Sequence, residues 1–162
     1  MENELDIVSR YTASAPVDLD AIFRELGVGY REQHIPTGES GWIERDGDYF
    51  TVVVNASEGE QRRRFTAAHE LSHYLMHRDL MDDGSRMNRH TDRLFDKNAD
   101  DDDGLFTHRH EVQANKMAAR IIMPAKLVRR KHAEGMSAGE IAKAFKVSRA
   151  AMEIRLSTLG LS

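Results

Sequence analysis

Apolar residues recur at intervals of three, four and seven across Pro16–Leu26, where Leu19, Ile22, Phe23 and Leu26 share one side and Gly27 follows. That spacing predicts a short amphipathic helix closed by a left-handed glycine. The period then shortens. Val28–Ile35, Gly41–Arg45 and Tyr49–Asn55 read as strands, the last built on Val52-Val53-Val54, a β-branched run that favours extended backbone. Asp46-Gly47, between the second and third, predicts a hairpin turn. A small antiparallel sheet is expected.

Helical spacing returns over Glu60–Met76, with Leu71 and Leu75 on one side and His69 and His73 on another, near Phe65 and Met76. It returns again over His108–Met123. Pro124 ends that helix and can open the next, Lys126–Ala133, which stops at Gly135. Ser137 and Glu140 have capping-box spacing before Ile141, Ala142 and Phe145. Ser148 can cap a last helix with Ala151, Met152 and Leu156 inside. The fold class expected is α+β. Residues 1–13 read as a flexible lead-in, 14–123 as the core, and 124–162 as a helix-turn-helix-like segment packed on it.

Asp79–Gly104, between the two long helices, is polar and acidic. Tested as a calcium loop from Asp96, it places Asp101 where glycine is required and Thr107 where a glutamate is required. A solvated, mobile loop is the expectation.

Composition narrows the chemistry. The chain of 162 residues has no cysteine, so any metal must be held by His, Asp or Glu. Absence of cysteine, and an N-terminus without an apolar leader, point to the cytoplasm. No apolar run reaches membrane-spanning length. The charge is uneven. From Pro124 onward eight Lys and Arg oppose three acids, a balance of +5, so the net −4 of the whole chain leaves −9 for the rest. A basic tail on an acidic body suits contact with nucleic acid or an acidic partner, or simply two solvated surfaces.

The run His69-Glu70-Leu71-Ser72-His73 carries the sharpest chemical signal. Histidines four apart on a helix stack on one face and can grip one metal ion. The intervening glutamate can reach a water on that metal, the arrangement of zinc metallopeptidases. A catalytic zinc needs a third protein ligand and one open position. Glu111 is the leading candidate, because Ala114, Asn115 and Ala118 follow it at three, four and seven and leave a small-residue face on which two helices can approach. His108 and His110 flank it and are alternatives. His77 continues the histidine row by one more turn and suits an outer-shell or helix-end role. Tyr30, His77, His108 and His110 are the candidates for steadying a tetrahedral oxyanion.

Two blocks, RFTAAHELSHYLMH at 64–77 and EVQANKMAARIIMP at 111–124, resemble the core motifs of the ImmA/IrrE metallopeptidases. The resemblance extends upstream to the Gly41 strand and Val54-Asn55, and downstream through IAKAFKVSRAAMEIRLSTLGL. It departs at Ser72, where glycine is usual, at Lys116-Met117, and in the length of the acidic loop. The resemblance implies a gluzincin-like fold, with His69, His73 and Glu111 as zinc ligands and Glu70 as catalytic base. It further implies a cytoplasmic regulatory protease acting on a helix-turn-helix repressor protein, which switches on genes of a mobile element or a stress response. Some relatives act in toxin–antitoxin pairs. A second reading makes the chain a DNA-binding regulator with a structural or sensory metal core, contacting DNA through Arg149 and Arg155. Packing of those helices on the core is the favoured alternative to that DNA contact. A third makes it a partner that sequesters the repressor without cutting it.

Overall fold

The computed structural model describes residues 3–84, the backbone of 86–89, and residues 106–161. Most of the acidic stretch expected as a loop lies outside the described residues. The elements in chain order are α1 (Glu4–Arg10), α2 (Leu19–Leu26), β1 (Gly29–Gln33), β2 (Gly41–Asp46), β3 (Tyr49–Asn55) and α3 (Glu60–His77). After a short 3-10 turn (Arg78–Leu80) come β4 (Arg86–Arg89), α4 (His108–Ile122), α5 (Ala125–Ala133), α6 (Ala138–Phe145) and α7 (Arg149–Thr158).

The sheet has the order β1-β3-β2-β4. The expected antiparallel arrangement holds where β2 pairs with β3 and with β4, but β1 runs parallel to β3, so the sheet is mixed. The reason is topological. β3 inserts between β1 and β2, and the link 34–40 crosses the end of β3 to join its two neighbours. Asn55, the last residue of β3, clasps that link. Its side-chain oxygen accepts from Ile35 N (3.3 Å) and Ser57 N (2.9 Å), and its Nδ2 donates to the Glu39 carbonyl (3.0 Å). The hairpin closes at the pair Asp46–Tyr49, so the turn residues are Gly47, at φ 62°, and Asp48.

Every β3 residue after Tyr49 is buried, as a central strand covered on both faces must be. Phe50, Val52 and Val54 face the main core, and Val53 joins Ile35 and Trp42 on the opposite face. α3 lies on the main-core face. Its middle, Thr66 to Tyr74, is buried without a break, including His69, Glu70 and His73. A helix carrying so many polar groups cannot be enclosed unless its neighbours come close and satisfy them. Gly41 permits the approach on the sheet side: a Cβ there would collide with the Val53 carbonyl and sit 3.0 Å from Thr66 Cγ2. Ala114 and Ala118 of α4, both fully buried, permit it on the other side.

The ends of the chain are more ordered than the pattern suggested. Glu4–Arg10 is helical where a flexible lead-in was expected, capped by Asn3 and burying only Val8. Polar contacts hold it: Arg10 and Tyr11 both bind Glu25, and Arg78 pairs with Glu4 at 2.9 Å. Such contacts carry no hydrophobic period, which explains why periodicity misses the helix. Leu127, Val128, Ile141, Phe145, Met152 and Leu156 belong to the same buried cluster as Ile22, Val52 and Leu71.

Gly41→Ala is expected to destabilise the chain by about 1–3 kcal/mol, read as a lower urea midpoint. An unchanged midpoint would mean that the approach of α3 to the sheet is not limited at this position.

Candidate metal centre

His69 and His73 stand one turn apart on α3, and Glu111 stands in the first turn of α4. Three of their atoms converge. His69 Nε2 and His73 Nε2 are 3.1 Å apart, and Glu111 Oε1 lies 3.1 Å from the first and 2.6 Å from the second. Neither His108 nor His110, the alternatives considered from sequence, takes part in this triangle.

The outer hydrogen bonds decide what those atoms can do. His69 Nδ1 lies 2.8 Å from Asn115 Oδ1, an amide oxygen that only accepts, so Nδ1 carries the proton and Nε2 presents a lone pair. The other side needs one more step. His77 Nε2 lies 2.8 Å from Gln113 Oε1 and so donates to it, which leaves His77 Nδ1 as an acceptor. His73 Nδ1, 2.9 Å from that atom, is then the donor, and His73 Nε2 also presents a lone pair. These tautomers are assigned from the network. Two imidazole lone pairs and a carboxylate oxygen thus face one another with no proton between them. The donor set fits a divalent cation bound by two nitrogens and one oxygen, the ligand type suited to zinc.

Burial strengthens the case. His69 and His73 are fully enclosed, and Phe106 lies flat on the His73 ring, with centroids 4.1 Å apart and planes 3° from parallel. The same burial lowers the pKa of His77 below its ordinary 6.5, against the opposing effect of Gln113. Glu70 is fully buried, and its carboxylate shares a cluster with the ligating atoms of His69 and His73, all within 4.8 Å of one another.

The remaining sequence candidates go elsewhere. His77 contacts His73 Nδ1 from one turn further along α3. His110 closes a capping box with Thr107, whose backbone N–H donates to its Nδ1 at 3.0 Å, and its ring lies 4.7 Å from that of His77. His108 is exposed at the first position of α4. Tyr30 does not fit the oxyanion role. It stacks on Phe23 and donates to Glu32 at 2.8 Å on its own strand, and burial followed by that carboxylate raises its pKa. Arg149 is exposed and pairs with Glu153 at 2.9 Å. Arg155 does not face solvent as a DNA contact would: it is buried and donates from Nε to the Met123 carbonyl at 3.0 Å.

Gln113 and Phe106 escaped sequence reading. Gln113 carries no signal apart from its place two residues after Glu111. Phe106 is an apolar residue at the edge of a long acidic stretch, a signal that was available.

Residues 37–157 match the sequence family described as Peptidase_M78, IrrE N-terminal-like domain. Comparison with curated proteins finds no match.

Asn115→Ala should weaken metal binding tenfold to a hundredfold, about the usual effect of removing a ligand's outer partner, by chelator competition with Zn²⁺, while Tyr30→Phe leaves it unchanged. Equal losses in both variants would contradict the geometry. A second expectation concerns pH. The unfolded chain protonates His77 near 6.5 and the folded chain resists, so protonation favours unfolding. Thermal stability of the metal-free chain should therefore fall as pH drops below about 6.5, and fall less steeply in His77→Gln. Parallel pH profiles for the two proteins would remove His77 as a contributor.

Proposed function

The chain belongs to the IrrE N-terminal-like peptidase family, and from that premise we propose that it is a zinc-dependent endopeptidase. The observation that carries this reading is the convergence of His69 Nε2, His73 Nε2 and Glu111 Oε1, beside the buried carboxylate of Glu70, which is not needed to complete the triangle.

The residues divide the work. His69, His73 and Glu111 would hold the metal, with Asn115 and His77 fixing the imidazole tautomers. When bound, zinc acidifies water and polarises a peptide carbonyl. Glu70 takes the proton from the attacking water and passes it to the departing amine, the role of a general base that becomes a general acid. Its position beside the ligating atoms of His69 and His73 suits Glu70 to that role. Phe106 covers one side of the site, stacked on the His73 ring.

For the substrate we propose a helix-turn-helix repressor, whose cleavage releases genes of a mobile element or a stress response. Support for that step comes from the resemblance of the 64–77 and 111–124 blocks to regulatory proteases. Burial of Arg155 counts against the alternative of a DNA-binding regulator with a structural or sensory metal, and does not bear on that of a toxin–antitoxin component.

Glu70→Gln should retain zinc, by elemental analysis, yet cut a repressor substrate about 10²–10⁴-fold more slowly. His73→Ala should lose both. A Gln variant that cuts at the wild-type rate would dispose of the mechanism; repressor bound and inactivated without fragments would point to sequestration instead.

A further inference from the structure

We propose that the cleft between α1, α4, α5 and α7 is a binding site for a small phosphate-bearing anion. The cleft has a volume of about 610 Å³ and is lined in part by Arg120, Lys126 and Arg155, with the hydroxyls of Ser9, Thr12 and Thr158. No Asp or Glu lines it.

Three observations converge. The first is Arg155, which is only 8% exposed and makes one hydrogen bond among the described residues, from Nε to the Met123 carbonyl. Its two terminal nitrogens make no hydrogen bond to protein among those residues and are not sealed from solvent, so they can meet a ligand in the cleft that Arg155 lines. The second is the surrounding field. Arg120 and Lys126 form no ion pair among the described residues, and Arg120 and Arg129 add to burial in lowering the pKa of Arg155. The fold therefore gathers positive charge here without gathering its opposite.

The third is the start of α5. Pro124, Ala125 and Lys126 line the cleft, and α5, nine residues long, begins with no side-chain cap and no acid in its first turn. Its first amide N–H groups have no partner within the helix. An uncapped helix N-terminus carries partial positive charge and binds oxyanions. Every other α-helix described has a side-chain cap, an acidic first turn, or both.

A carboxylate satisfies one guanidinium fork. Two arginines, a lysine and a helix N-terminus match a doubly charged tetrahedral group better. The volume falls within the range of small-molecule sites and exceeds what phosphate alone needs, so a phosphorylated metabolite fits as well as free phosphate. Two of the eight basic residues of the C-terminal segment, Lys126 and Arg155, line the cleft. It is formed by different residues from the metal centre, so its occupancy can be read without any cleavage assay.

The test is calorimetric titration of the full chain with inorganic phosphate and with AMP, at constant ionic strength. Arg120 and Lys126 are exposed, so Arg120→Gln and Lys126→Gln report on binding and not on folding. One saturable site is expected, weakened about tenfold by each substitution. Tighter binding of AMP than of phosphate identifies a phosphorylated organic ligand, and equal binding identifies phosphate; both support the site. No saturable binding, or wild-type affinity in both variants, overturns it. So does a duplex DNA complex lost in these variants with phosphate itself failing to bind, which would assign the charge to nucleic acid.

Discussion

Two imidazole lone pairs and a carboxylate oxygen, held within 3.1 Å of one another with no proton to share, repel. Everything around them works to hold that arrangement. Asn115 and the His77–Gln113 pair engage the Nδ1 atoms and keep both rings from turning. A preformed set of acceptors loses little freedom when a cation arrives, and its selectivity follows from that rigidity. The same network sets the protonation state of His77, which must remain neutral to accept from His73.

Enclosure of this set demands unusual proximity. α3 is polar for much of its length, yet buried through its central turns. Glycine on the sheet and alanines on α4 remove the bulk that would keep these layers apart. The cost of burying Glu70 and two histidines is offset locally by the hydrogen bonds and packing that define the site. Stability and chemistry are therefore coupled through the same few contacts, and a substitution that loosens the layers should loosen the ligands as well.

The C-terminal helices illustrate how a motif can be present in pattern and different in use. Ser137-Ala138-Gly139-Glu140 and Ser148 do cap two short helices as their sequence indicates. Their spacing invites comparison with a DNA reader. Arg155, however, turns inward to the Met123 carbonyl, and Ile141, Phe145, Met152 and Leu156 pack into the common core. Arg155, one of the two arginines that a DNA contact would use, lines a cleft beside Arg120 and Lys126.

Local rules made much of this molecule legible from its sequence. Periodicity located α2, α3 and α4, and the β-branched run with Asp46-Gly47 located the β2–β3 hairpin. The four-residue spacing placed His69 and His73 on one helix face by helical geometry alone, and the small face after Glu111 made it the leading candidate for the third ligand. Tertiary structure decided what depends on pairing across distance. The parallel placement of β1 follows from where β3 inserts, and α1 is held by ion pairs with no period to betray them. The choice of Glu111 over its neighbouring histidines, the enlistment of Gln113 and Phe106, and the inward turn of Arg155 all depend on which groups the packing brings face to face. A side chain's identity states what it can bind; only its neighbours in space determine whether a proton, a metal or an anion is what it lacks.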